Sequence, residues 1–179
     1  MPQTELLKIE FPCIGDSPIY AQHYHTLLKI WWDHFGLRGK VLVIGEPGEA
    51  GKYVKQVLKK DFPLIEDIYS VDLDGADIVW DITKPLNSER KFDWIIFQAT
   101  LEHVTDPVAA MVNLGNQLME NGLLYVHSVG PEFPIHRHPL DCYRFLLDAL
   151  DAFARLANLK WLTITTQVGI GLRSIKSKG

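Results

Sequence analysis

Four consecutive apolar residues, Val41-Leu42-Val43-Ile44, run straight into Gly45. A strand with one wet face alternates apolar and polar residues, so an unbroken aliphatic run belongs in a sheet covered on both faces. A glycine-containing turn follows, Gly45-Glu46-Pro47-Gly48-Glu49-Ala50-Gly51, and then Tyr53, Val54, Val57 and Leu58 mark one helical face up to Lys60. A buried strand followed by a glycine turn and an amphipathic helix is the repeating unit of an α/β sheet.

The pattern recurs along the chain. Strands are predicted at 67–72, 78–80, 92–98, 123–129 and 160–168, and helices at 106–120 and 143–157. Thr105-Asp106-Pro107 starts the first of these helices and Asn121-Gly122 closes it. Further upstream, Ser17-Pro18 opens a helix whose Tyr20, Tyr24, Leu27, Leu28, Trp31 and Phe35 recur every three or four residues until Gly36. Regular strand–helix alternation predicts an α/β fold, a doubly wound and mostly parallel sheet with helices on both faces. The length of 179 residues suits one domain, with residues 1–36 as an N-terminal arm and helix.

Composition narrows the function classes. With 47% hydrophobic and 22% charged residues, the chain is neither disordered nor a disulfide scaffold. A net charge of −4 argues against a basic nucleic-acid binder or an anionic-membrane binder. No apolar run approaches the ~20 residues that cross a bilayer, and the opening MPQTELLKIEFP is no secretory signal, so a cytoplasmic location is expected. Cys13 and Cys142 lie far apart without metal-ligand spacing and are expected as free thiols.

In an open parallel sheet, ligands bind at the carboxyl ends of the strands. The first predicted strand ends at Gly45, the second at Asp72 and the third at Asp81. Backbone N–H groups in the glycine turn can approach a ligand, and an acid ending the second strand can accept from ribose hydroxyls. A dinucleotide-binding domain shares both features, but its G-x-G-x-x-G spacing is absent here, where Gly45, Gly48 and Gly51 are three apart. The alternative is a nucleoside cofactor held through ribose and adenine.

The chain here resembles class I S-adenosylmethionine-dependent methyltransferases, most closely the broad type 11 group of small methyltransferases. The residues that carry the resemblance are KVLVIG at 40–45, SVD at 70–72, DIVWDI at 77–82, FDWIIFQATLEHVTDP at 92–107 and NGLLYVHSV at 121–129. PIHRHPLDCYRF at 134–145 is similar to a loop found in a subset of these enzymes. The resemblance implies a Rossmann-like methyltransferase fold with residues 40–169 as the cofactor-binding core. It implies that Gly45 and the turn to Gly48 lie beneath the methionine part of the cofactor, that Asp72 holds the ribose, and that Asp81 and the Ile82 N–H read the adenine. Gln98 would border the sulfonium, and the loop to His103 would form the cleft wall.

The family's acid-x-G-x-G-x-G motif is altered here. Val43 stands for the acid, and Pro47 and Glu49 for the second and third glycines. Little chain follows the Gly169–Gly171 turn, so the fold's final antiparallel strand is expected to be short or absent. His103, His136 and His138 are the candidate bases, since imidazole titrates near neutrality. His136 and His138 with Asp141 also offer metal-ligand chemistry, although no metal is assigned from the sequence. The third reading of that loop is structural, with Asp141 and Arg144 hydrogen-bonding the backbone. The expected activity is S-adenosylmethionine-dependent methylation of a small-molecule acceptor, a sugar or glycan precursor being favoured. The alternatives are a methyltransferase-fold protein that has lost catalysis and serves as a binding or assembly partner, and a nicotinamide-nucleotide binder.

Overall fold

The computed structural model describes residues 34–137 and 139–162. Five parallel strands form one sheet: β1 (Gly39–Ile44), β2 (Ile65–Asp72), β3 (Ile78–Val79), β4 (Phe92–Gln98) and β5 (Leu118–His127). Three helices accompany them, α1 (Gly48–Asp61), α2 (Pro107–Gln117) and α3 (Leu147–Leu156). The strand order is β3-β2-β1-β4-β5. The chain builds outward from β1 to β3, then crosses back to place β4 on the other side of β1. The switch point therefore lies between the carboxyl ends of β1 and β4.

The aliphatic run is explained by two cores. Leu42, Ile44, Ile95, Phe97, Leu124 and Val126 belong to one cluster, with Met111 and Leu114 of α2 and Leu150 and Ala154 of α3. Val41, Val43, Trp94, Ile96 and Tyr125 belong to the other, with Leu58 of α1. Successive strand residues point to opposite faces, so both parities must be apolar when both faces are covered. Gly51 sets how closely α1 lies: a Cβ there would stand 2.4 Å from the Glu46 carbonyl oxygen and 3.2 Å from Ser70 Cβ.

The structure shifts several predicted boundaries. Strand 92–98 is observed as predicted. Helix α1 starts at Gly48, five residues before its first predicted apolar position, because its first turn is polar and exposed apart from Gly51. Helix α2 ends at Gln117 rather than at the Asn121-Gly122 pair. The ladder to β4 begins at Phe92↔Leu118, skips, and resumes at Trp94↔Leu123, so Asn121-Gly122 forms an excursion within the start of β5. The last predicted helix begins at Leu147 rather than 143. Residues 160–162 are not in a strand, and the rest of the predicted 160–168 strand lies outside the described residues. Of the predicted N-terminal helix only 34–36 are described, where two helical residues lead into Gly36. The final antiparallel strand, Cys13 and His138 likewise lie outside the described residues.

Candidate functional site

The carboxyl ends of β1 and β2 and the segment after β4 enclose a cleft of about 300 Å³. That is the lower end of the size range of small-molecule sites. Gly45, Asp72, Asp81, Ile82, Thr100 and His103 line it.

Gly45 continues β1 at φ +83°, in the left-handed region, and its N–H donates to the Val71 carbonyl at 2.8 Å. A Cβ there would stand 2.4 Å from Thr100 Oγ1, so this position demands glycine twice over. Thr100 is anchored in turn by donating to the Gln98 carbonyl at 2.8 Å. Between them Ala99 sits at φ +47°, an unfavourable conformation for a residue with a Cβ, while its N–H donates to the His127 carbonyl at 2.9 Å. Local strain of this kind concentrates at functional sites.

Asp72 ends β2 with one carboxylate oxygen accepting from the Leu73 N–H at 2.6 Å. Asp81 follows β3 and accepts from the Thr83 hydroxyl at 2.7 Å and the Thr83 N–H at 3.0 Å. Those hydrogen bonds, the hydroxyl's foremost, hold the Asp81 carboxyl below its usual range. Ile82 is fixed from behind, because buried Asn113 of α2 donates its side-chain N–H to the Ile82 carbonyl at 2.9 Å. Glu46, next to Gly45, was passed over in the sequence. Burial and then the Asp72 charge push its carboxyl up from the usual value, so two acids face each other beside the cleft.

The remaining sequence candidates are placed differently. Gly48 opens α1 and spends its N–H on the Gly75 carbonyl at 2.8 Å, and it does not line the cleft. Pro47 before it has no N–H and makes no side-chain cap. Gln98 ends β4 opposite His127, and Thr100 rather than Gln98 lines the cleft.

The loop after β5 folds over this end of the sheet. Cys142 and Tyr143 donate their N–H groups to the Glu102 carbonyl at 2.8 and 3.2 Å. Arg144 donates to the Phe133 and Pro134 carbonyls at 2.9 and 2.7 Å and bonds both oxygens of Asp141. The Arg144 hydrogen bond is the main reason the Asp141 carboxyl lies far below its usual range. Asp141 also accepts the His136 N–H at 2.7 Å. The structural reading of Asp141 and Arg144 is thus realised. These bonds also explain why α3 starts late.

His103 follows Glu102 in a single 3-10 turn, Leu101–His103, and its Nδ1 bonds the Leu140 carbonyl. A carbonyl only accepts, so Nδ1 carries the hydrogen and Nε2 the lone pair of the neutral ring. The His136 ring packs edge-on to it at 4.8 Å. Glu102, which sequence reasoning did not select, is fully buried beneath both rings.

No protein-family profile matches the chain, and no curated protein sequence matches it. Solved structures do. An O-methyltransferase family protein from Burkholderia thailandensis superposes with a TM-score of 0.68 at 11% identity, over 89% of this chain. This chain spans 57% of that protein's length. The N-methyltransferase NodS from Bradyrhizobium japonicum gives 0.64 at 16% identity, over 93% of this chain and 100% of NodS. The O-methyltransferase NcsB1 from neocarzinostatin biosynthesis gives 0.61 at 13% identity, over 89% of this chain and 58% of its own, and is solved with S-adenosylmethionine and 2-hydroxy-5-methyl naphthoic acid. The described sheet, with its order and parallel register, is the Rossmann-like fold of class I methyltransferases.

Proposed function

We propose that this protein binds S-adenosylmethionine in the switch-point cleft and transfers its methyl group to a small-molecule acceptor. The charge of the cleft carries this reading. Among the described residues its lining includes Asp72 and Asp81 and no lysine or arginine, and Glu46 stands beside Asp72. A dinucleotide brings a pyrophosphate, which an acidic cleft repels. S-adenosylmethionine brings a sulfonium and an ammonium, which it attracts. Asp72 would accept from the ribose hydroxyls, with Asp81 and the Ile82 backbone at the adenine. NodS is also solved with S-adenosylhomocysteine, which supports the same cofactor class.

Methyl transfer is an in-line displacement. The acceptor lone pair forms the bond to the methyl carbon while the C–S pair returns to sulfur, and the acceptor then loses its proton. Alignment supplies most of the acceleration. His103 lines the cleft, its ring anchored through Nδ1 to the Leu140 carbonyl. The small acceptor, with a sugar or glycan precursor favoured, would enter past the loop near Leu140, which borders the cleft.

One observation favours a second reading, a methyltransferase-fold protein that has lost catalysis and serves as a binding or assembly partner. Pro47 removes an N–H from the turn that would face the methionine carboxylate, and Gly48 has already spent its own. Thermal-shift titration separates the cofactor classes. A ligand at ~100 times its Kd adds ~2.7 kcal/mol to stability. S-adenosylmethionine is expected to raise the melting temperature and NAD to leave it unchanged. A larger shift with NAD overturns the proposal. Labelled methyl transfer to a panel of sugars then separates turnover from binding alone.

A further inference from the structure

Behind the His103 wall, three side chains converge. Glu102, His103 and His136 each offer one ligand atom, and these atoms lie within 4.8 Å of one another. His136 Nε2 stands 3.6 Å from Glu102 Oε1, and His103 Nε2 stands 3.9 Å from the same oxygen. Two atoms each bonded to a tetrahedral zinc-like ion are about 3.4 Å apart. The two distances to Glu102 Oε1 exceed that spacing by about 0.2 and 0.5 Å, and with all three atoms within 4.8 Å of one another the group must draw together to hold an ion.

The Glu102 oxygen is the independent sign of a ligand. Its side chain is 0% exposed. Oε2 accepts from the Ser128 hydroxyl at 2.7 Å, but Oε1 is buried with no hydrogen-bond partner among the described residues. An unsatisfied buried carboxylate oxygen is costly, and both ring nitrogens facing it lie beyond hydrogen-bond reach.

We propose that Glu102 Oε1, His103 Nε2 and His136 Nε2 bind one divalent transition-metal ion. Two imidazoles and a carboxylate suit zinc, iron or cobalt rather than magnesium or calcium, which take mainly oxygen ligands. The surroundings fit. His103 Nδ1–H is held by the Leu140 carbonyl, which fixes the tautomer that presents Nε2. His136 Nδ1 stands 3.7 Å from Asp141 Oδ2, the outer carboxylate that metal-bound histidines commonly face. Arg144 neutralises Asp141, so the inner group keeps the one charge of Glu102 for the ion. The ion joins the turn after β4 to the loop after β5. An ion on those lone pairs also makes the two histidines ligands instead of bases.

Cobalt(II) titration of chelator-treated protein tests this without any cofactor present. One cobalt per chain is expected, with visible d–d absorption and a raised melting temperature. Glu102→Gln and His136→Asn should each bind cobalt roughly a hundredfold more weakly. His136 is partly exposed, so its variant carries the test if Glu102→Gln does not fold. Failure of wild-type protein to bind cobalt, or binding undiminished in the His136 variant, overturns the site. Neither result bears on S-adenosylmethionine binding, which is read separately.

Discussion

Glu46 shows how a single side chain reports on the cleft. Its carboxyl is pushed up by burial and by Asp72, so between the unfolded and folded values the folded protein binds the proton more tightly than the unfolded chain does. Stability from this group is then highest below the unfolded glutamate value of about 4.3 and falls as pH rises through the folded value. Glu46→Gln removes the penalty. The variant should melt higher than wild type near pH 7.5 and equally near pH 4. Melting curves across that range check it, and equal gains at both ends would contradict the assignment. Glu46 was invisible in the sequence because a polar residue after a strand reads as an ordinary turn. Glu102 was hidden differently: nothing in Leu101-Glu102-His103 tells which of the three is covered by a loop some forty residues later. Asp72 and Asp81 were legible because a strand end fixes where a residue lies before any packing is known.

At the scale of elements, the strands were read best where both faces are buried. In β1 and β4 apolar side chains of both parities leave no choice but a covered strand. Boundaries failed where a long-range bond overrode a local signal. Asn121-Gly122 looks like a helix stop, yet it serves a skip in pairing between β4 and β5. Tyr143 and Arg144 look helical, yet their donors are taken by Glu102, Phe133 and Pro134. Helix α2 acts on the site through one bond, from Asn113 to the Ile82 carbonyl. Asn113→Ala leaves that buried carbonyl unsatisfied and should cost about 1–3 kcal/mol in urea unfolding. It should also weaken cofactor binding, since the backbone that would meet the adenine loses its support. Asn113→Asp should fail to rescue, having no N–H to donate. A variant as stable as wild type would show that the bond carries nothing.

Among the described residues, the cleft lies where the topology reverses. Two described strands lead away from β1 on one side and two on the other, and the ends of β1, β2 and β4 open into one acidic cleft. The turn from Gly45 to Gly51 fits this arrangement. Gly45 allows Thr100 to approach, and Gly51 allows α1 to lie against β2, so these glycines serve packing. Among the described residues no helix is long and apolar enough to cross a membrane. The central claim is that this cleft takes the nucleoside of S-adenosylmethionine through Asp72. Calorimetric titration with S-adenosylhomocysteine tests it most directly, comparing wild type with Asp72→Ala. One-to-one binding by wild type, weakened roughly tenfold or more in the variant while its melting temperature holds, is the predicted result. No binding by wild type, or equal binding by both proteins, would contradict it.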